Sequence, residues 1–245
     1  LFKELLVPPS PGDAGSAIGA TNLSYYIENK QFLNSPGLFP GPSKKNININ
    51  FKVDEFFKKI SSQNDFIDLC SKKILDGNII STYIEKTETG PRALGNTSIL
   101  CNAKNKMTVF NLNNKIKKRE IYQPLAPMLL QEDFSKYFTI ENSIYKNLFS
   151  MSTLCEAKKK LYLDYNSIIH IDGTCRVQII SDQSSLIYKL LKRLRDYDVD
   201  ILVNTSFNIS KDPIVFDLYD VYINMKRMNI KYIIMDEGLF EIKDI

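Results

Sequence analysis

Between residues 185 and 235 the chain reads as helix, strand, helix, strand, and that succession leaves few architectures open. Ile187, Leu190, Leu191, Leu194 and Tyr197 fall at helical spacing opposite Lys189, Lys192, Arg193 and Arg195, which predicts an amphipathic helix over 185–197. A short buried strand follows at 200–203. Leu218, Val221, Tyr222 and Met225 mark a second helix, and 231–235 a second strand. Strands joined by helices of these lengths argue for an α/β sheet with crossover helices. Upstream, 54–60 and 66–75 read as short helices, the second stopped at Gly77, and 78–84 as a strand. Residues 168–180 are strand-like around the turn Asp172-Gly173. At the start, a Pro- and Gly-rich stretch from Pro8 to Gly15 leads into a predicted helix over 16–28. Its small residues Gly15, Ala17, Gly19 and Ala20 suit close packing of the first turn against a neighbour, with apolar surface exposed from Ser16 to Phe32. A loop over 35–43, broken by Pro36, Gly37, Pro40, Gly41 and Pro42, comes next. The favoured domain boundary lies near Leu75-Asp76-Gly77 and separates residues 1–75 from 76–245.

Composition removes several classes of function. No apolar run approaches the roughly 20 residues of a membrane span. The first residues, with Lys3 and Glu4, are too short and mixed for a signal peptide. The net charge of +4 is spread among basic clusters at Lys44-Lys45, Lys58-Lys59, Lys158 to Lys160 and Lys192 to Arg195, which read as solvated faces rather than a nucleic-acid stripe. Cys70, Cys101, Cys155 and Cys175 have no metal-knuckle spacing and are expected as reduced thiols of a cytoplasmic protein. With a single histidine, a metal centre built from this chain alone would have to rely on carboxylates.

Four segments combine turn glycines, polar side chains and cations. Gly90 and Gly95 bracket Arg92, putting a planar guanidinium on a constrained turn suited to a phosphate or carboxylate; the alternative is a structural turn with Arg92 paired to Glu88. Lys115, Lys117, Lys118 and Arg119 place four cations in five positions, so some face solvent or an anion. In His170-Ile171-Asp172-Gly173-Thr174-Cys175-Arg176-Val177-Gln178, alternation would set Thr174, Arg176 and Gln178 on one side of a strand, and His170 reads as a structural residue. Last, the buried strand at 201–203 runs into Asn204, Thr205, Ser206 and Asn208, where the carboxyl end of a strand in an open sheet would place a ligand.

In this order the segments resemble the carbamoyltransferases of antibiotic and nodulation-factor biosynthesis. GPRALGNTSIL at 90–100 is similar to that family's GPRALGNRSIL. IKKREIYQPLAP at 116–127 is similar to IKxRExFRPFAP, HIDGTCRVQ at 170–178 to HVDGTARVQ, and NTSFN at 204–208 with DPIV at 212–215 to NTSFN and EPIV. Residues 8–20 resemble PPxxGDAGxAxGA, which closes the family's actin-like domain. The resemblance covers nearly the whole chain. It implies the end of an actin-like (ASKHA) domain followed by a YrdC-like α/β domain with a twisted mixed sheet, like that of threonylcarbamoyl-AMP synthases.

The same resemblance implies two chemistries. The C-terminal domain would join carbamoyl phosphate with ATP into a carbamoyl adenylate, with Mg2+ a candidate companion of ATP. The actin-like domain would pass the carbamoyl group to a hydroxyl-bearing small molecule beside Fe(II). Carried over by motif, Arg92, Lys117, Arg176, Ser206 and Asn208 would bind substrate, with Lys117 and Arg176 catalytic, and Asp13 would be a metal ligand. Gln123 stands where the family has arginine, which would take a cation from the phosphate site. Thr97 and Lys86 also replace arginines, and Lys211-Asp212 replaces Gly-Glu. An initial Leu and the missing histidine-bearing region fit a fragment, completed on the same gene or by a separate chain carrying the N-terminal domain; neither nucleic acid nor membrane is an expected partner. The rival reading is a degenerate, non-catalytic nucleotide- or partner-binding module.

Overall fold

The computed structural model describes residues 2–34, 37–48, 51–62, 65–120 and 122–243. Ser35 and Pro36 of the expected breaker loop, and Ile121 of the second motif, lie outside them. The main sheet contains β1 (Phe57–Lys59), β2 (Ile80–Tyr83), β3 (Ser98–Asn102), β4 (Ala126–Leu130), β8 (Gln178–Ile180), β9 (Ile201–Ser206), β10 (Tyr232–Met235) and β11 (Gly238–Ile242). A small sheet holds β5 (Phe138–Thr139), β6 (Cys155–Ala157) and β7 (Thr174–Cys175). The spatial order in the main sheet is β1-β11-β10-β2-β3-β9-β4-β8. β10 and β2 are parallel, β2 and β3, β3 and β9, and β9 and β4 antiparallel, and β4 and β8 parallel. The expected mixed α/β sheet is therefore the fold observed, and its directions set the carboxyl ends of β2, β9 and β10 beside the amino ends of β3, β4 and β8.

Both faces are apolar because the central strands alternate between two cores. Ile99, Cys101, Ile201, Val203, Leu129 and Ile233 face one cluster; Leu100, Leu202, Met128, Leu130 and Ile234 face the other. The second face is covered by α2 (Phe66–Leu75), through Cys70 and Ile74, and α4 (Leu186–Arg195), through Ile187, Leu190, Leu191 and Leu194. Each fully buried leucine there contributes about 2 kcal/mol. Ser185 caps α4, its hydroxyl accepting from Tyr188 N at 3.1 Å. The first face is covered by α3 (Lys106–Phe110) and α5 (Leu218–Met228), whose Asp217 cap accepts from Asp220 N.

Several expectations change. The helix at 54–60 is only the turn Val53–Phe56; Phe57–Lys59 pairs with β11 as an edge strand, because this buries Phe57 against Tyr222. β1 and α2, upstream of the boundary expected at residue 75, pack with the strands and helices downstream of it. Asn204 to Ser206 are not a loop after the strand but the last three residues of β9. The strand expected over 168–180 is broken at Arg176-Val177, where the chain passes from the small sheet to the large one, so Thr174, Arg176 and Gln178 do not form one row. Lys44 is not part of a solvated face: it is buried, donates to Thr97 Oγ1 and stands 4.5 Å from the Tyr83 ring centroid. α1 (Ser16–Asn29) buries none of its residues, and nothing lies within 4 Å of a Cβ built at Gly19. The close packing predicted for its start is found at Gly15, where a Cβ would collide with Ser10 O, and not at Gly19; the expected apolar surface is there, with Leu23, Ile27 and Phe32 exposed. The cysteines are four buried free thiols, as expected. No helix among the described residues is long and apolar enough to cross a membrane.

Candidate anion site at the sheet edge

The connection from β2 to β3 is shaped before any ligand is considered. Glu88 Oε1 accepts from the backbone N–H groups of Leu94, Asn96 and Thr97 at 3.0, 2.9 and 2.8 Å. Gly90, at φ 84°, lies where a Cβ would meet Pro9 O at 2.3 Å, so no larger residue fits. From the sheet, Asn204 Nδ2 donates to Ala93 O at 2.9 Å and Gln178 Nε2 to Leu94 O at 2.6 Å. Glu88 is thus spent on the turn, not on Arg92, which settles the alternative left open by the sequence. Arg92 is pushed out over the ends of the strands.

The basic segment divides in two. Asn111–Ile116 winds as a π-helical continuation of α3, with Lys117 N donating to Leu112 O at 2.9 Å, and Lys118 then turns at φ 49°. Lys115 and Lys118 consequently face solvent while Lys117 and Arg119 turn inward. Lys117 is 1% exposed. Its Nζ donates to Ser206 O, Asn208 O and Asn208 Oδ1 at 2.8, 2.6 and 2.7 Å, with Ser206 Oγ at 3.3 Å. No carboxylate is among these partners. Burial, and then the Arg119 charge, hold the ammonium down at a pKa of about 7.

Arg92, Arg119, Arg176, Asn204 and Ser206 line one recess of about 60 Å³. Pro91, Arg92, Met151 and Arg176 also line a wider cleft of about 360 Å³, roofed by Val7, Pro9 and Pro11. The guanidinium groups feel one another: burial first, then Arg92, lowers the pKa of Arg119, and burial, Arg92 and Arg119 lower that of Arg176. The chain has six arginines. Arg193, Arg195 and Arg227 are ion-paired with Asp68 and Asp196, with Asp133, and with Asp212. Among the described residues, Arg92, Arg119 and Arg176 have no such partner, and Arg176 Nε is buried without a hydrogen bond. Three like charges held together without a counter-ion are chemically suited to an anion.

Residues 71–241 match the family described as Carbamoyltransferase C-terminus. The chain belongs to the carbamoyltransferase family. It is 34% identical to an uncharacterized protein of Methanocaldococcus jannaschii, over 87% of this chain and 36% of that protein. It is 30% identical to nodulation protein NolO of Bradyrhizobium diazoefficiens, over 90% of this chain and 41% of that one. The chain therefore spans well under half the length of these curated relatives. Among solved structures, T. kodakarensis HypF has a similar fold (TM-score 0.54, 16% identity, 77% of this chain and 22% of that one). So has E. coli YciO (TM-score 0.53, 14% identity, 74% of this chain and 81% of that one).

Of the residues carried over from the carbamoyltransferase motifs, Arg92, Arg176 and Ser206 meet in the recess. Lys117 and Asn208 form a layer behind Ser206, and Asn208 Nδ2 is spent on Asp212 O. His170 is structural as expected, its Nδ1 2.9 Å from Thr174 Oγ1, which donates to Asp172. Gln123 is exposed and does not line the recess; Arg119 supplies the third cation. In the sequence Arg119 is one of four neighbouring charges and carries no separate signal of its own, although the family motif IKxRE has an arginine at that position. Asp13 is exposed, and the described residues contain no group of three His, Cys, Asp or Glu side chains that could hold a metal. They do not by themselves fit the iron site that the resemblance implies.

Proposed function

We propose that the recess binds the phosphate groups of carbamoyl phosphate and ATP and promotes their conversion to a carbamoyl adenylate. Three unpaired guanidinium groups on one wall carry this reading. Arg92, Arg119 and Arg176 would hold phosphate oxygens, and they gain most where negative charge accumulates, on the leaving groups of the transition state. Lys117 would add a fourth positive charge from behind Ser206. Atom balance requires that pyrophosphate leave ATP and, with one water, that inorganic phosphate leave carbamoyl phosphate. Mg2+ would arrive with ATP, since no carboxylate among the described residues lines the recess. Transfer of the carbamoyl group to a small-molecule hydroxyl would be the work of the larger part of the family's length that this chain does not span.

The test is exchange of labelled pyrophosphate into ATP, dependent on carbamoyl phosphate. The expected result is exchange in the wild type and a loss of about a hundredfold in Arg176→Ala, with the fold intact by circular dichroism. Folded protein that binds ATP without exchange would overturn activation and favour the non-catalytic binding module.

A further inference from the structure

We propose that the side-chain oxygen of Asn204 accepts a hydrogen bond from the carbamoyl N–H, and that this atom makes the recess prefer carbamoyl phosphate over other acyl phosphates. The inference rests on the reading of the site given above and adds its selectivity.

Asn204 is 1% exposed and lines the recess together with the three arginines. Its amide has one workable orientation. Nδ2 donates to Ala93 O at 2.9 Å and to Gln178 Oε1 at 2.7 Å. Gln178 is fixed in turn, because its own Nε2 donates to Leu94 O at 2.6 Å. Turning Asn204 over would set its oxygen against two acceptors. The oxygen is therefore the atom left over, buried and without a partner among the described residues. A buried acceptor in that state is costly, and such atoms in native proteins usually have a use.

The chemistry of the wall says what would answer it. The guanidinium groups of Arg92, Arg119 and Arg176 can only donate, and the Ser206 hydroxyl already donates to Asn208 Oδ1 at 2.6 Å. Asn204 Oδ1 is thus an acceptor on a wall whose charged groups can only donate. A fully deprotonated anion such as sulfate brings acceptors alone and leaves this oxygen unanswered. Carbamoyl phosphate brings both kinds of group: phosphate oxygens for the arginines and, across one ester oxygen and one carbon, an amide with two N–H donors. Acetyl phosphate has nearly the same shape with a methyl group in place of the amide, and its methyl would leave the buried oxygen unpaired.

Calorimetry on the full chain with carbamoyl phosphate, acetyl phosphate and inorganic phosphate tests this. Carbamoyl phosphate should bind about tenfold or more tighter than acetyl phosphate. In Asn204→Leu that preference should fall to about twofold or less while both still bind. Because the variant also cuts the bonds to Ala93 and Gln178, a second measurement uses the unaltered protein. The asparagine side-chain 13C resonance of residue 204 should move with carbamoyl phosphate and not with acetyl phosphate. Equal affinities in the wild type, or a preference that survives Asn204→Leu, would overturn the role of Asn204 and leave the anion site standing. The same holds if a small shift pairs Asn204 Oδ1 with Arg176 Nε, since the resonance would then respond alike to both acyl phosphates. Failure of all three ligands to bind would overturn the anion site as well.

Discussion

Sulfate, a dianion throughout the neutral range, should bind the recess with uptake of a proton by the protein. Lys117 is the group responsible. Its ammonium is buried against neutral acceptors and held at a pKa of about 7 by burial and by Arg119. An anion seated against Arg119 and Arg176 offsets the positive field at Lys117 and raises that pKa. The sign follows: the bound state holds the proton more tightly, so affinity is full below the free pKa and falls as pH climbs above it. At pH 8 about a tenth of the free chains carry this proton, so binding should take up about 0.9 proton and weaken about tenfold, or about 1.4 kcal/mol, from its value at pH 6. Titration calorimetry in two buffers of unequal ionisation enthalpy reads the uptake directly. Lys44 is the control, since it is also buried and held at about 8, by burial against the opposing pull of Glu88 and Asp236. Lys44 does not line the recess, so Lys44→Met should keep the uptake and Lys117→Met should lose it. Equal heats in the two buffers at pH 8, with sulfate bound, would refute the reasoning, as would uptake that persists in Lys117→Met.

Two further substitutions test how the wall is held. Glu88→Ala leaves three backbone N–H groups without their acceptor and should cost about 2 kcal/mol in thermal melts, with loss of sulfate binding as the Arg92 turn loosens. Glu88→Gln keeps the accepting oxygen and should retain both properties, whereas a charge pair with Arg92 would make the two variants equally harmful. Lys211 is exposed and sits at φ 73°, a left-handed conformation where the family has glycine. Lys211→Gly should therefore stabilise the protein by up to about 1 kcal/mol, seen as a rise of about 2 °C in Tm.

Legibility in the sequence followed locality. α2 and α4 could be read because their apolar spacing is internal to the segment, and Gly77 and Ser185 punctuate them. β1 could not be read, since only the pairing with β11, far away in sequence, makes Phe57–Lys59 extended. Polar side chains at Asn204 to Ser206 looked like a loop because a single sequence does not show that Ala93 O, Gln178 and Lys117 await them inside the fold. The rule that puts lysines in water failed for Lys44 for the same reason, its partners being Thr97 and the Tyr83 ring. The recess itself was half visible. Arginines bracketed by glycine turns pointed to an anion, but their convergence depends on strand order, which places the β2–β3 turn, the end of β9 and the approaches to β4 and β8 at one edge.

That convergence stays uncompensated because carboxylates of the neighbouring segments are occupied elsewhere. Glu88 is taken up by backbone N–H groups, Asp172 by Thr174, and Asp212 by Arg227. Lys117, which a carboxylate would neutralise, is held instead by carbonyl, amide and hydroxyl oxygens. Any one of these acids redirected into the recess would relieve the repulsion among Arg92, Arg119 and Arg176 and strengthen the free fold. It would also fill the position proposed for a phosphate. A protein selected for stability alone would keep such a pair, so the repulsion that remains supports the proposed role of the recess in holding an anion that arrives from outside.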